Sequence, residues 1–198
     1  MEFYVRSKGK PRKIGILAGS FNPPTVAHAE LVSAAGFYVD EVLCVLPRRF
    51  PHKEYFGATL EQRLELLASA DLCQPYSIAV ADAGLFLDIA SECREHYPVS
   101  AKLFFICGRD AAERILAWDY GRAGVVEDML RQFELLVAAR QGEFRPPPQF
   151  RDRIHTLHVR ADYGNVSSTE VRERIRTGKP WEHLVPVEIV DRVRAIYS

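Results

Sequence analysis

The chain has 198 residues, 47% of them hydrophobic and 26% charged, so it is long enough for one domain with a sizeable core. Its 26 basic and 26 acidic side chains balance, which argues against general nucleic-acid binding. No apolar run approaches the roughly 18 residues of a membrane span, and no signal peptide opens the chain. The four cysteines are widely spaced and form no C-x-x-C pair. We therefore expect a reduced, cytoplasmic protein without a disulfide frame or a zinc site.

Strand-like and helix-like stretches alternate along the chain. Short apolar runs predict strands at 13–18, 41–47, 76–80, 101–107, 133–138 and 154–159. Periodic stretches predict helices at 29–35, 59–70, 86–96, 168–177 and 187–197. This alternation indicates an α/β fold with a doubly wound, mostly parallel sheet in three α/β/α layers. We expect residues 1–198 to form a single domain, with residues 1–12 as a flexible basic arm.

A Gly- and Pro-rich turn, G-S-F-N-P-P-T-x-x-H, separates the first predicted strand from the first helix and runs from Gly19 to His28. In an open α/β sheet, ligands bind at such a turn, at the carboxyl ends of the strands. Gly19 lets the backbone approach a phosphate closely, and the N–H groups of the next helix favour an anion. Thr25 and His28 are three residues apart, so both can point at one ligand. With no acidic neighbour, this pair suits charge stabilisation better than nucleophilic attack; the alternative is an ordinary turn with a partly buried histidine.

A second motif, V-S-S-T-E-V-R, opens the helix predicted at 168–177. Ser167 and Glu170 have the spacing of a capping box, so a well-capped helix is the simplest interpretation. Ser168, Thr169 and the N–H groups of the helix also make an anion site. The guanidinium of Arg172, one turn later, could reach the same anion in bidentate fashion.

Together the two motifs resemble the signatures of the nucleotidyltransferase superfamily with the (T/H)-x-x-H motif. Within it, the chain is most similar to the nicotinate/nicotinamide mononucleotide adenylyltransferases, with Val166 where their I-S-S-T-x-x-R signature has Ile. The resemblance implies a Rossmann-like fold and the transfer of AMP from ATP to nicotinate or nicotinamide mononucleotide, with release of pyrophosphate, in NAD biosynthesis. It also implies Mg²⁺ that is held mainly by the ATP phosphates, without a metal site made by the protein.

The resemblance assigns roles to individual residues. It implies that His28, Thr25 and Arg172 are catalytic. The residues implied to bind ATP and its phosphates are Gly19, Ser20, Phe21, Ser167, Ser168, Thr169, Gly108 and Asp110. The residues implied to bind the acceptor are Asn22, Lys53, Trp118 and Arg140. Arg109, inside the Gly-x-Asp pattern, departs from the family's smaller residue. Arg63 also lies in the match, although it could equally be a solvated helix residue.

One stretch departs from the family pattern where the pyridine ring is bound. Bacterial relatives begin the helix after the third strand with a pattern like S-Y-T-x-D-T, whereas this chain has G-L-F-L-D-I at 84–89. Missing hydroxyls remove hydrogen bonds to the ring substituent, and such bonds decide specificity strongly. The acceptor therefore stays open between the two pyridine mononucleotides and another phosphorylated acceptor, with ATP or CTP as donor. A nucleotide sensor without catalysis is a further alternative, and the oligomeric state does not follow from the sequence.

Overall fold

The computed structural model describes residues 1–49, 57–72, 76–138, 144–160, 163 and 166–198. These residues form a seven-stranded sheet. Its strands are β1 (Glu2–Val5), β2 (Lys13–Ala18), β3 (Glu41–Pro47), β4 (Tyr76–Ala81), β5 (Lys102–Gly108), β6 (Glu134–Ala138) and β7 (Ile154–Leu157). The strands β3 and β6 are buried along their whole length, as expected for strands covered on both faces.

The strand order is β1-β4-β3-β2-β5-β6-β7. All neighbours from β4 to β7 pair in parallel, and β1 alone is antiparallel, against β4. Without β1, the order is that of the doubly wound dinucleotide-binding fold, which reverses direction between β2 and β5. The predicted doubly wound, mostly parallel sheet is therefore confirmed, and its switch point lies between the carboxyl ends of β2 and β5.

Helices cover both faces of this sheet. The helices are α1 (Val26–Ala35), α2 (Leu60–Ser69), α3 (Phe86–Arg94), α4 (Arg109–Ala117), α5 (Val125–Gln132), α6 (Ser168–Arg176) and α7 (Val190–Tyr197), with short 3-10 turns at Pro148–Phe150, Glu182–Leu184 and Val187–Ile189. One apolar cluster joins the sheet to α1, α2, α6 and α7, and a second joins its other face to α3, α4 and α5. The three predicted layers are thus present, and α4 and α5 are helices that the sequence did not predict.

The first residues of the chain correct one prediction. Residues 1–12 were expected to form a flexible arm, but Glu2–Val5 form the strand β1 on the edge of β4. Beyond it, the backbone N–H of Ser7 donates to Ser77 Oγ at 2.9 Å, and the Ser7 hydroxyl donates to Glu41 at 2.7 Å. Backbone pairing and these side-chain bonds hold this segment, so the prediction of a flexible arm is wrong here.

Three of the cysteines lie in the apolar core. Cys44, Cys93 and Cys107 are buried and free, and burial raises the pKa of each thiol to about 12. In the part of the chain that the structure describes, no helix is long and apolar enough to cross a membrane.

Candidate active site

A cavity of about 590 Å³ opens at the switch point of the sheet. Its walls come from the turn after β2, the end of β5 and the start of α6. Many predicted site residues line it: Gly19, Ser20, Asn22, His28, Gly108, Ser167, Ser168, Thr169 and Arg172. The fold therefore brings together two motifs that lie far apart in the sequence, at the place where open α/β sheets bind their ligands.

The turn after β2 is fixed from both sides. The N–H of Gly19 donates to the carbonyl of Val45 on the neighbouring strand β3, at 3.0 Å. Phe21 follows with φ +46, and its ring is fully buried with its centroid 4.9 Å from that of the His28 ring. The peptide bond between Asn22 and Pro23 is cis. Phe21 thus packs behind the turn, outside the cavity lining, so its predicted contact with ATP stays a prediction, while its neighbours Ser20 and Asn22 line the cavity.

His28 sits at the third position of α1, where it completes a capping box with Thr25. The backbone N–H of Thr25 donates to His28 Nδ1 at 3.0 Å, and Thr25 Oγ1 lies 2.8 Å from the same nitrogen. Because a backbone N–H can only donate, Nδ1 acts as an acceptor, and the proton of the neutral ring is on Nε2. Thr25 is fully buried and lies outside the cavity lining, so its predicted contact with a ligand stays a prediction.

The start of α6 contacts the first motif directly. Ser167 is the N-cap of this helix, and its hydroxyl accepts from the N–H of Glu170 at 3.1 Å, as the capping-box spacing predicts. The Ser168 hydroxyl donates to the carbonyl of Pro23 at 2.7 Å. Arg172 donates through Nη1 to the carbonyl of Asn22 at 2.5 Å. The N-terminal turn of α6 is thereby held against the turn after β2, with both facing one cavity.

Several predicted residues lie outside the cavity lining. Asp110 is in the first turn of α4, where its side chain is 85% exposed and 3.8 Å from Arg109 Nε, and the N-cap of that helix is Gly108. Trp118 ends α4 and is 58% exposed. The predicted contacts of Asp110 and Trp118 with ligands stay predictions. Lys53 and Arg140 lie outside the described residues.

Arg63, on α2, is buried and hydrogen-bonds to the turn after β2. It is only 4% exposed, and it donates to the carbonyl of Ser20 at 3.0 Å and to that of Thr59 at 3.2 Å. The alternative interpretation of Arg63 as a solvated helix residue is therefore wrong. The match of Arg63 to the family pattern was the signal that could have indicated this buried position.

Two aromatic residues contribute to the site beyond those assigned a role from the sequence: Tyr197, which no motif indicated, and Phe86, which lies in the divergent stretch 84–89. The hydroxyl of Tyr197, in the last helix, donates to Asn22 Oδ1. Phe86, from the divergent stretch 84–89, lines the cavity and stacks on Phe105 with ring centroids 4.2 Å apart. Ile89 from the same stretch is fully buried in the core, and Phe86 is the residue of the stretch 84–89 that lines the cavity.

The electrostatics of the cavity suit an anion. Arg172 and the N-terminal turn of α6 supply positive charge, and the described part of the lining holds no carboxylate. Across the described residues, no cluster of three or more His, Cys, Asp or Glu side chains could hold a metal ion. A polyanion that brings its own counter-ion fits this donor set better than a metal bound by the protein.

A doubly wound parallel sheet with a phosphate-compatible cavity at its switch point defines a nucleotide-binding α/β protein. The cytidylyltransferase-like family model matches residues 16–174. A protein from Moorella thermoacetica named as a probable nicotinate-nucleotide adenylyltransferase is 31% identical over 204 residues, which cover 94% of this chain and 91% of that protein. The chain thus belongs to the cytidylyltransferase-like family, on the branch of the nicotinate-nucleotide adenylyltransferases. The family predicted from the two motifs is confirmed.

Further comparisons agree with this assignment. A Tropheryma whipplei protein of the same name is 31% identical over 184 residues, covering 89% of this chain and 94% of that protein. The solved structure of the Plasmodium falciparum nicotinic acid mononucleotide adenylyltransferase complexed with NaAD superposes with a TM-score of 0.64. It covers 91% of this chain and 96% of its own, at 16% identity, and therefore supports the fold alone.

Proposed function

We propose that this protein transfers AMP from ATP to nicotinate mononucleotide, giving nicotinate adenine dinucleotide and pyrophosphate. The observation that carries the proposal is the meeting of His28, the start of α6 and Arg172 around one cavity at the switch point. Relatives along almost the whole chain carry the name of this activity. The proposed reaction is thus the activity that both the relatives' names and the local chemistry support.

The reaction is a direct displacement at the α-phosphate. An oxygen of the mononucleotide phosphate forms a bond to the α-phosphorus, the bond to the bridging oxygen of the β-phosphate breaks, and pyrophosphate leaves with that electron pair. The attacking phosphate is already an anion at neutral pH, so no general base is required. The protein then has to position two anions and neutralise the charge that grows on the transferred and leaving groups.

His28 and the α6 side of the cavity divide this work. His28 donates from Nε2 to the α-phosphate, because its bond with the Thr25 N–H keeps Nδ1 as an acceptor and the proton on the other nitrogen. Ser168, Thr169 and the N–H groups that begin α6 bind the β- and γ-phosphates. Arg172, tied to the carbonyl of Asn22, places its guanidinium beside the leaving group.

We propose that Mg²⁺ enters as part of the nucleotide substrate. The described lining offers hydroxyl, amide and carbonyl groups but no carboxylate, so phosphate oxygens of the substrate would hold most of the ion's coordination. An ion bound in this way would neutralise phosphate charge. The residues of the chain then act on the phosphates themselves.

The test is pyrophosphate release with ATP, Mg²⁺ and either nicotinate or nicotinamide mononucleotide, with phosphopantetheine and CTP as further substrates. We expect the fastest release with ATP and nicotinate mononucleotide. A His28→Gln variant, run in parallel, shows whether the release comes from this cavity. Silence with both pyridine mononucleotides, while ATP still raises the melting temperature, would contradict the proposed acceptor.

A further inference from the structure

Asn22, in the turn after β2, is held at both of its carbonyl oxygens. It is 5% exposed and contributes to the wall of the cavity. Its backbone oxygen accepts from Arg172, and its side-chain oxygen accepts from the hydroxyl of Tyr197, 175 residues further along the chain. Two separate helices, α6 and α7, thus fix the backbone and the side chain of one residue in the cavity wall.

Tyr197 reaches this position because α7 is anchored in the core. Val193 on α7 and Ile189 just before it are fully buried on the face of the sheet that α1 also covers. The Tyr197 ring packs against Gly57, where an added Cβ would lie 3.1 Å from Tyr197 Cε1. Gly57 has φ +98, a conformation that favours glycine, so the ring and this turn fit each other closely. The ring position is therefore set by packing and does not depend on the hydroxyl.

The hydroxyl of Tyr197 remains a donor across the neutral range. Burial raises the pKa of this phenol above its ordinary value, although the charges of Arg172 and Arg63 oppose the shift. A protonated phenol donates to the amide oxygen of Asn22, and this bond holds the Asn22 side chain in the observed orientation. Neither the ring nor the hydroxyl of Tyr197 belongs to the cavity lining.

We propose that Tyr197 is a positioning residue, which fixes the Asn22 amide in the cavity wall so that Asn22 can bind the phosphorylated acceptor. This inference rests on the proposed function, in which Asn22 contacts the acceptor. Tyr197 acts only through Asn22 and does not touch either substrate. Its contribution should therefore appear in acceptor binding and should vanish when Asn22 is absent.

The experiment compares Tyr197→Phe, Asn22→Ala and the double variant in the pyrophosphate assay. Tyr197→Phe keeps the ring against Gly57 and removes one hydrogen bond, so we expect the KM for nicotinate mononucleotide to rise about fivefold. The KM for ATP should not change. In the Asn22→Ala background, Tyr197→Phe should have no further effect. The matched control is Tyr76→Phe, which removes a hydroxyl that donates to the carbonyl of Ala70 at 2.8 Å.

A second measurement separates this inference from the proposed function. The side-chain amide signals of Asn22, assigned by their loss in Asn22→Ala, should shift in the nitrogen–proton spectrum of Tyr197→Phe and stay in place in Tyr76→Phe. Unshifted signals, or an equal rise in KM with and without Asn22, would overturn the role of Tyr197. If the wild-type protein releases no pyrophosphate with any acceptor, but Tyr197→Phe still shifts the Asn22 signals, the proposed function is overturned. The positioning of Asn22 by Tyr197 is then supported.

Discussion

At the scale of single residues, His28 combines two roles in one imidazole. Its Nδ1 accepts from the N–H of Thr25 and so satisfies a donor at the start of α1. The same bond sets the proton on Nε2, the nitrogen that the proposed reaction uses. Because the first role stabilises a helix and the second, in the proposed reaction, stabilises a transition state, suitable substitutions should separate them.

We predict that His28→Ala lowers turnover by about 10²–10³-fold, as expected for the loss of one preorganised donor. It should also lower the free energy of unfolding by about 1 kcal/mol, because the capping box loses a partner. His28→Gln should restore the stability, since a glutamine carbonyl at this position accepts the Thr25 N–H, but it should leave turnover low. Urea denaturation and initial rates on the same preparations measure both effects.

The stability of His28→Gln is compared with that of the wild type by urea denaturation under the same conditions. A variant with normal turnover would show that His28 only caps α1. A large loss of stability in His28→Gln would show that the ring is needed mainly for packing, for example against Phe21, whose centroid is 4.9 Å away.

At the scale of elements, the start of α6 is both a capped helix and part of the cavity wall. Ser167→Ala removes the hydroxyl that accepts from the N–H of Glu170. We predict a loss of about 1 kcal/mol in the free energy of unfolding and a weaker affinity for ATP, because the helix N-terminus that binds phosphate loses its order. Isothermal titration with ATP and urea denaturation give the two quantities.

Thr59→Ala is the matched control for this prediction. The Thr59 hydroxyl likewise accepts from the N–H of Gln62 at the start of α2, at 3.2 Å, but its side chain lies outside the cavity lining. It should show the same loss of stability with unchanged ATP affinity. If both variants bind ATP equally well, the start of α6 does not bind the nucleotide.

The hydrogen bonds at the start of β2 predict how the stability of the protein depends on pH. Asp40 accepts from the backbone N–H groups of Arg12 and Lys13 at 2.8 and 2.9 Å, and these bonds lower its pKa from the ordinary value of 3.8. A carboxyl with a lowered native pKa stabilises the fold above the unfolded pKa and loses this effect as the pH falls through the native one. The wild-type protein should thus lose stability below about pH 4.

The Asp40→Asn variant checks the sign of this effect. The difference in unfolding free energy between wild type and variant should be constant near neutrality and should shrink as the pH falls below about 4. Melting temperatures from pH 7 down to pH 3 measure it. A difference in unfolding free energy that stays constant from pH 7 to pH 3 would show that the charge of the Asp40 carboxylate does not stabilise the start of β2.

The sequence predicted the parallel strands of the sheet but not the edge strand β1. The parallel strands were predicted because strands covered on both faces are continuous apolar runs, such as 41–47. The strand β1 was not, because Glu2–Val5 are four largely exposed residues whose pairing depends on the edge of β4. Similarly, the motifs identified the residues on the two loops, whereas Tyr197 carries no local signal and reaches Asn22 only through the tertiary fold.

At the scale of the whole molecule, the two ends of the parallel sheet have different tasks. The carboxyl ends of β2 and β5 form the cavity, while the opposite end carries a buried carboxylate, Glu41, at the start of β3. Glu41 accepts from the hydroxyls of Ser77 and Tyr97, both at 2.7 Å, and from that of Ser7. These bonds join the N-terminal segment, β4 and the segment after α3 far from the proposed chemistry.

We predict that Glu41→Leu lowers the free energy of unfolding by about 3 kcal/mol, because it leaves buried hydroxyls without their acceptor. The folded fraction should keep the wild-type kcat and both KM values, since no group at the cavity moves. Glu41→Gln, which retains a carbonyl, should lose less stability. Denaturation curves and initial rates well below the melting temperature test both statements. A fall in kcat in fully folded Glu41→Leu would show that the two ends of the sheet are coupled. Normal kcat with lost stability, the reverse of the result expected for His28→Gln, would show that Glu41 stabilises the fold without acting on the proposed chemistry.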